Sequence, residues 1–405
     1  MHLTTMGELP SQSRDSLRPL TILAAIFFVA TAAYYFYTIS WVEPIPRDAT
    51  NLVIGRDFLN FWMYGRAAAT PNPSRFYDFE LYTRELDRLL KLGDLGVNWS
   101  YPPNIMLAAA PFGQLPYLTA LLCWTVLSLA IFWAAMSRVL TDRRLLIPLL
   151  LSPAAVLCLV AGQSAFVTTA ILIGIFVCLD RRPYVAGVLI ALLSLKPQLG
   201  LLFPFMLIAS ARWRVFFTAT AATLAIVGIT TLLFGVQSWI DYIEKGLPMQ
   251  SLALFAPLLH GAQFMPTIFM NIRATGVDSA TAMMVQVCFS LLAVGAVIWA
   301  FHFRRNADPL ILAALFLSCS VFGSPYLLVY DLLPLTVAAV LLLASGMLDL
   351  PGQRLARFLY WLPALQMAFG TFDIPGPALL PVIFAGYLVR HLHGYSFSRP
   401  VSAHA

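Results

Sequence analysis

From residue 20 to residue 390 the chain alternates long apolar runs with short polar breaks. The runs cover 20–42, a complex stretch 103–138, then 145–160, 163–179, 184–209, 214–235, 280–302, 309–323, 327–347, 356–371 and 376–390. A bilayer core needs about 20 apolar residues of α-helix, and within it only a helix or a closed barrel satisfies its own backbone. The runs therefore predict an all-α polytopic membrane protein. Between 103 and 138, Pro111 and Pro116 interrupt the pattern, and the stretch reads equally as one broken span or three. The total comes to about 12 transmembrane helices. Several arms are shorter than a full span, which predicts a depression open to the outer face.

The breaks set the orientation. TDRR (141–144), DRRP (180–183), ARWR (211–214), FRRN (303–306) and GQRLAR (352–357) carry the basic residues, and short basic loops stay cytoplasmic. Hairpins then turn on the outer side at Gly162-Gln163 and at Lys196-Pro197-Gln198. Residues 1–19 form a cytoplasmic tail, 20–392 the membrane domain and 393–405 a second cytoplasmic tail. The first run extends to residue 42, too long for the apolar region of a signal peptide, so it is read as an uncleaved span.

Composition agrees. The 405 residues are 60% hydrophobic and 11% charged, far from soluble proportions. Lys plus Arg number 25 against 19 acidic residues, but this excess sits in the loop clusters, which excludes a nucleic-acid footprint. All five cysteines lie within apolar runs and read as small buried residues.

Two long polar segments, 43–102 and 236–279, face outward. The first contains GRDFLNFWMYGRAAA and FELYTRELDRLLKL. Both place apolar residues at helical spacing with charges between them, predicting two short amphipathic helices on the outer membrane face.

Five stretches then occur in order: RDFLNFWMYGRAAATPNPSRFYD, WSYPPNIMLAAAPFGQLPY, AGQSAFVTTAIL, YVAGVLIALLSLKPQLGLLFPFMLIASARWR and GSPYLLVYDLLPL. This series resembles glycosyltransferase family 87, over roughly residues 50–340. The resemblance implies a GT-C-like helical bundle that uses a polyprenyl-phosphate sugar, as mycobacterial mannosyltransferases do. The chain departs from those members where they carry a histidine-rich run, since Ser324-Pro325 is followed by Tyr326, Tyr330 and Asp331. The sugar, mannose-like hexose or pentose, and the acceptor, glycolipid or polysaccharide, stay open. The implied setting is a bacterial inner membrane with the active site facing outward. The donor is a co-substrate, and no cofactor or metal is expected.

The residues fit that chemistry. A lipid-linked donor presents its reactive carbon at the interface, so a base is needed at the outer headgroup level. Asp57 is the candidate: partial burial beside aromatics raises the basicity of a carboxylate, while Arg56 opposes the rise. Asp57 also stands where a helix N-cap belongs. The departing phosphate calls for a cation, and Lys196, an ionisable residue within an apolar run, is the best placed. Arg56 and Arg66, ten positions apart, are expected on one face of the first loop helix, binding phosphate or lipid headgroups. Tyr101, Gln163, Gln198, His260, Gln263, Tyr326, Tyr330 and Asp331 are further candidate substrate contacts. The competing reading is a transporter or flippase of lipid-linked saccharides. Such proteins tend to show repeats and midplane charges, whereas here no repeat is found and the polar residues gather toward the outer side.

Overall fold

The computed structural model describes residues 11–42, 45–91, 99, 101–140, 142–255 and 264–394. In chain order its helices are α1 (Ser11–Thr38), α2 (Phe58–Ala67), α3 (Phe79–Leu90), α4 (Ile105–Gly113), α5 (Tyr117–Met136), α6 (Leu146–Leu150) and α7 (Pro153–Ala161). There follow α8 (Ala165–Cys178), α9 (Pro183–Leu192), α10 (Phe203–Ala209), α11 (Trp213–Phe234), α12 (Gln237–Asp241) and α13 (Leu247–Phe255). The last six are α14 (Ile268–Arg273), α15 (Ser279–Phe303), α16 (Pro309–Phe322), α17 (Leu333–Ser345), α18 (Leu350–Gly370) and α19 (Leu379–Gly394).

Among the described residues all regular structure is helical, apart from isolated bridges joining Ser40 to Arg47 and Arg47 to Val53. Among the described residues four helices, α1 from Leu17, α5, α11 and α15, are long and apolar enough to cross a membrane. The segment Arg143–Leu150, which ends in α6, and α7, bent by 62° across Leu151-Ser152, would make a fifth. Helices α8 and α16 have 14 residues, α17 has 13 and α19 has 16. At 1.5 Å per residue these reach about 20–24 Å, less than the hydrocarbon thickness of about 30 Å. Helix length therefore does not yield the expected 12 spans. In the 103–138 stretch only α5 has spanning length. Pro116 ends the preceding segment and Pro111 lies within the nine-residue α4.

The chain forms two compact units. One comprises residues 21–200 and 214–257. Its core is aromatic: Phe58, Trp62, Tyr64, Phe76, Tyr77, Tyr82 and Trp99 are all buried. Tyr64 lies against Trp99 at 3.5 Å between ring centroids with the planes tilted by 34°, and Tyr82 donates to Asn60 Oδ1. Helices α2 and α4 cross backbone to backbone, because a Cβ on Gly65 would stand 2.2 Å from Ala109 O and one on Gly113 2.2 Å from Arg66 N. Only glycine allows that approach. The second polar segment docks on the same core, with Tyr242 packed on Tyr77 and Gly246 against its ring. There burial works against the Asp241 carboxylate, but hydrogen bonds from Ser74, Lys245 and Gln237 hold it below its ordinary range.

One expectation for the first loop is corrected. Helix α3 is amphipathic, with Tyr82, Leu86 and Leu90 buried while Glu80, Arg84 and Arg88 face out. Helix α2 is not. Every residue of it except Arg66 is buried, because its large apolar side chains surround the axis instead of lining a stripe. A helix apolar all round is an interior helix.

The other unit comprises residues 1–20, 201–213 and 258–405. Helices α16 and α17 form its centre, buried from Leu310 to Phe322 and from Leu333 to Ala344. Its buried amides are satisfied: Asn271 donates to Gln366 Oε1 at 3.2 Å, and Gln286 donates to Phe322 O at 2.9 Å.

Candidate active site

The opening turn of the first loop sets the geometry of Asp57. Gly55 and Arg56 both have positive φ, +81° and +36°, a region costly for a residue with a Cβ. The turn is tied down by Tyr117, whose hydroxyl donates to Ile54 O at 2.8 Å. The first helical N–H groups are taken by backbone carbonyls, Phe58 N donating to Gly55 O and Leu59 N to Arg56 O. Asp57 therefore holds the N-cap position with no side-chain capping bond, and its carboxylate is directed elsewhere.

That carboxylate meets Gln163. The amide Nε2 donates to Asp57 Oδ2 at 3.1 Å and also lies 3.1 Å from the Tyr101 hydroxyl. Gln163 is placed by the end of α7, which closes on Gly162 in the left-handed region with Gln163 N donating back to Cys158 O. This is a Schellman ending, and glycine at the left-handed position is its usual residue. Gly162 also permits contact, since a Cβ there would lie 2.6 Å from Phe58 Cβ and 2.9 Å from Gly55 O. Trp124 fixes the turn from below by donating to Gly162 O at 3.0 Å. Tyr101 is held through its backbone: Tyr101 N donates to the Tyr64 hydroxyl at 2.8 Å, and Tyr64 and Tyr77 donate to Tyr101 O at 3.0 and 2.8 Å. Burial raises both phenol pKa values far above the ordinary tyrosine range, so these clamps stay protonated.

The YPPN stretch continues to Asn104, whose Nδ2 donates to Ser194 Oγ at 2.8 Å. Ser194 lies in the 3₁₀ turn Leu193–Leu195, and Lys196 joins it to a second turn, Pro197–Leu199. Lys196 is 3% exposed, and Gln198 is half-buried beside it. Asp57, Gln163, Tyr101, Asn104 and Ser194 thus form a connected line that leads to the Lys196 turn. Asn104 itself is 1% exposed, and its Oδ1 has no hydrogen-bond partner among the described residues. Sequence reading passed over this residue, although its place directly after Tyr101-Pro102-Pro103 was the available signal.

The sequence model of glycosyltransferase family 87 matches residues 99–330, more than half of the chain. The protein belongs to glycosyltransferase family 87. Among curated proteins and among solved structures, nothing matches. The matched range of this glycosyltransferase includes Tyr101, Asn104, Gln163 and Lys196 but begins after Asp57. The hydrogen bond from Gln163 is what links Asp57 to it.

Other candidates are placed differently. Arg56 is not on the α2 helix, so it shares no helical face with Arg66. Its Nε donates to Asp48 Oδ2 at 2.6 Å and its Nη2 to Thr50 Oγ1 at 3.3 Å. Arg66 lies at the opposite end of α2, stacked on Trp62 with 4.9 Å between the guanidinium carbon and the ring centroid. In the other unit, Tyr326 adjoins Ser324, which donates to Tyr326 O at 2.8 Å. There the 3₁₀ turn Val329–Leu332 buries Tyr330 and Asp331, and Asp331 Oδ2 accepts a long 3.5 Å bond from Leu328 N. His260 and Gln263 lie outside the described residues. Among the described residues no group of three or more His, Cys, Asp or Glu is arranged to hold a metal.

Proposed function

We propose that this glycosyltransferase moves a hexose or pentose from a polyprenyl-phosphate donor to a glycolipid or glycan acceptor at the outer face of a bacterial inner membrane. Asp57 acts as the general base. The supporting observation is the Gln163 amide bridging Asp57 Oδ2 and the Tyr101 hydroxyl. It orients the carboxylate through a neutral donor and brings no second charge to it. In the reaction the acceptor hydroxyl passes its proton to Asp57 as its oxygen attacks the anomeric carbon. The bond from that carbon to the phosphate oxygen breaks, and polyprenyl phosphate leaves with the bonding pair. Lys196 meets the charge that grows on this oxygen, where a buried cation is most effective. Asn104 Oδ1 offers an acceptor for a sugar hydroxyl, and Gln198 a further polar contact. With Lys196 in place the chemistry calls for no metal.

The test is product formation. Purified protein, a synthetic polyprenyl-phosphate hexose or pentose and a membrane extract of acceptors should give a new glycosidic bond, with undiminished rate in chelator. Vesicle-to-vesicle movement of labelled lipid-linked sugar without a new bond would instead indicate the flippase. Absence of product with every common polyprenyl-phosphate sugar would overturn the proposal.

A further inference from the structure

We propose that the far end of α2 carries a second anion site, built by Arg66 and Arg75, that binds a phosphate group other than the one leaving the sugar. The two guanidiniums line a cavity of about 170 Å³ together with Thr70, Phe76, Glu85 and Gln114. Each is held against an aromatic ring, Arg66 on Trp62 at 4.9 Å and Arg75 on Phe76 at 4.6 Å. Trp62 is in turn fixed by its bond to Leu115 O at 2.9 Å. Stacking on a ring orders a planar guanidinium and leaves its N–H edge available for an oxyanion.

Charge favours an anion there. Glu85 lines the same cavity, but Arg88 holds both its oxygens, at 3.0 and 2.7 Å. Among the described residues neither Arg66 nor Arg75 has an ion-pair partner. Two positive charges therefore face a cavity whose one carboxylate is bonded to Arg88, with Arg75 and Arg66 adding a weaker attraction to it. Its size limits the occupant, since sites for drug-sized ligands run to about 300–1,000 Å³. A single phosphate group fits it.

Position separates this site from the reaction, a step that rests on Asp57 being the base. Asp57 stands at the N-cap of α2 and Arg66 in its last turn, about 13 Å of backbone rise away, with the Arg66 guanidinium over Trp62. The donor phosphate is bonded to the anomeric carbon, which must come within roughly 3–3.5 Å of the acceptor oxygen that Asp57 deprotonates. The phosphate at Arg66 and Arg75 is thus a different one, from a phospholipid headgroup or from free phosphate.

The test uses the full chain in maltoside micelles, titrated with inorganic phosphate and with short-chain phosphatidylglycerol, binding being read by ³¹P line broadening. At least one ligand should bind, and the double variant Arg66→Gln/Arg75→Gln should weaken it by about tenfold or more, the scale of losing charge-assisted hydrogen bonds. The double lysine variant should fall between, keeping charge without the planar fork. Binding of phosphatidylglycerol alone assigns the site to a headgroup, and binding of inorganic phosphate alone to the soluble ion; either supports it. If the double glutamine variant proves unfolded in a melting scan, single Arg75→Gln on the exposed side chain carries the test, with about threefold weaker binding expected. Asp57→Asn should bind as wild type does, even if it abolishes transfer. No binding of either ligand, equal binding by folded glutamine variants, or loss of binding in Asp57→Asn would each overturn the proposal.

Discussion

Asp48 and Asp57 stand nine residues apart in one loop and are treated in opposite ways. Asp48, its side chain 1% exposed, accepts from Arg56 Nε at 2.6 Å, from Thr50 N at 2.8 Å and from Thr50 Oγ1 at 2.6 Å. Asp57 is half-buried and is met by the amide of Gln163, 106 positions away. The cation next to Asp57 in sequence serves the other carboxylate. The left-handed φ of Arg56 accompanies this division, because the reversed turn points successive side chains apart. A carboxylate bound by a cation and its own loop holds the chain together; in the proposed mechanism the one reached by a neutral donor from a distant turn takes the proton.

The largest effect should come from Asp57→Asn, which removes the proton acceptor and nearly preserves shape. Turnover should fall by about 10²- to 10⁴-fold. Donor binding and melting temperature should stay close to wild type, because no capping bond is lost. Near-normal turnover would erase the distinction between the two aspartates.

Lys196→Met comes next. If Lys196 meets the departing phosphate, kcat should fall by on the order of 10²-fold. Expression should hardly change, because Met suits a site that is 3% exposed. Equal kcat in detergent assays would return Lys196 to a packing role.

Much of this arrangement was legible in the sequence. The basic clusters marked helix ends: Arg181 and Arg182 separate α8 from α9, and Arg304 and Arg305 separate α15 from α16. The short arms also proved short, because apolar run length directly limits helix length. The fate of α2 was not legible, since an interior aromatic helix and a surface amphipathic one differ in what surrounds them. Nor was the partner of Arg56, which depends on a backbone reversal that only the φ at Gly55 and Arg56 reveals. Gln163 stood out as the tip of a turn, but its reach to Asp57 required the clearance at Gly162.

Gln163→Leu should have a moderate effect. It removes both the bond to Asp57 and the link to Tyr101 while leaving the base in place, so kcat should drop about tenfold with little change in KM for the donor. A Glu at the same position sharpens the comparison by adding a second carboxyl beside Asp57. Like charges disfavour joint ionisation, so the acid limb of the pH–rate profile should move upward in Gln163→Glu. An unmoved limb would separate Asp57 from the titrating base.

The smallest effect on turnover is expected from Arg56→Gln, although this variant should destabilise the protein. Removing the guanidinium leaves Asp48 a buried carboxylate with only Thr50 donating to it among the bonds seen here. Breaking a fully buried pair costs about 3–5 kcal/mol. With the Arg56 side chain 22% exposed, roughly 2 kcal/mol is the reasonable scale. Adding Asp48→Asn should restore part of that loss, because the uncompensated charge is then gone, and a double-mutant cycle over the two positions would measure their coupling. At temperatures where each variant is folded, turnover should stay within about threefold of wild type, since the Arg56 guanidinium is bonded to Asp48. A loss of kcat in folded Arg56→Gln as deep as that of Asp57→Asn would place Arg56 on the substrate phosphate and reverse the roles of the two carboxylates.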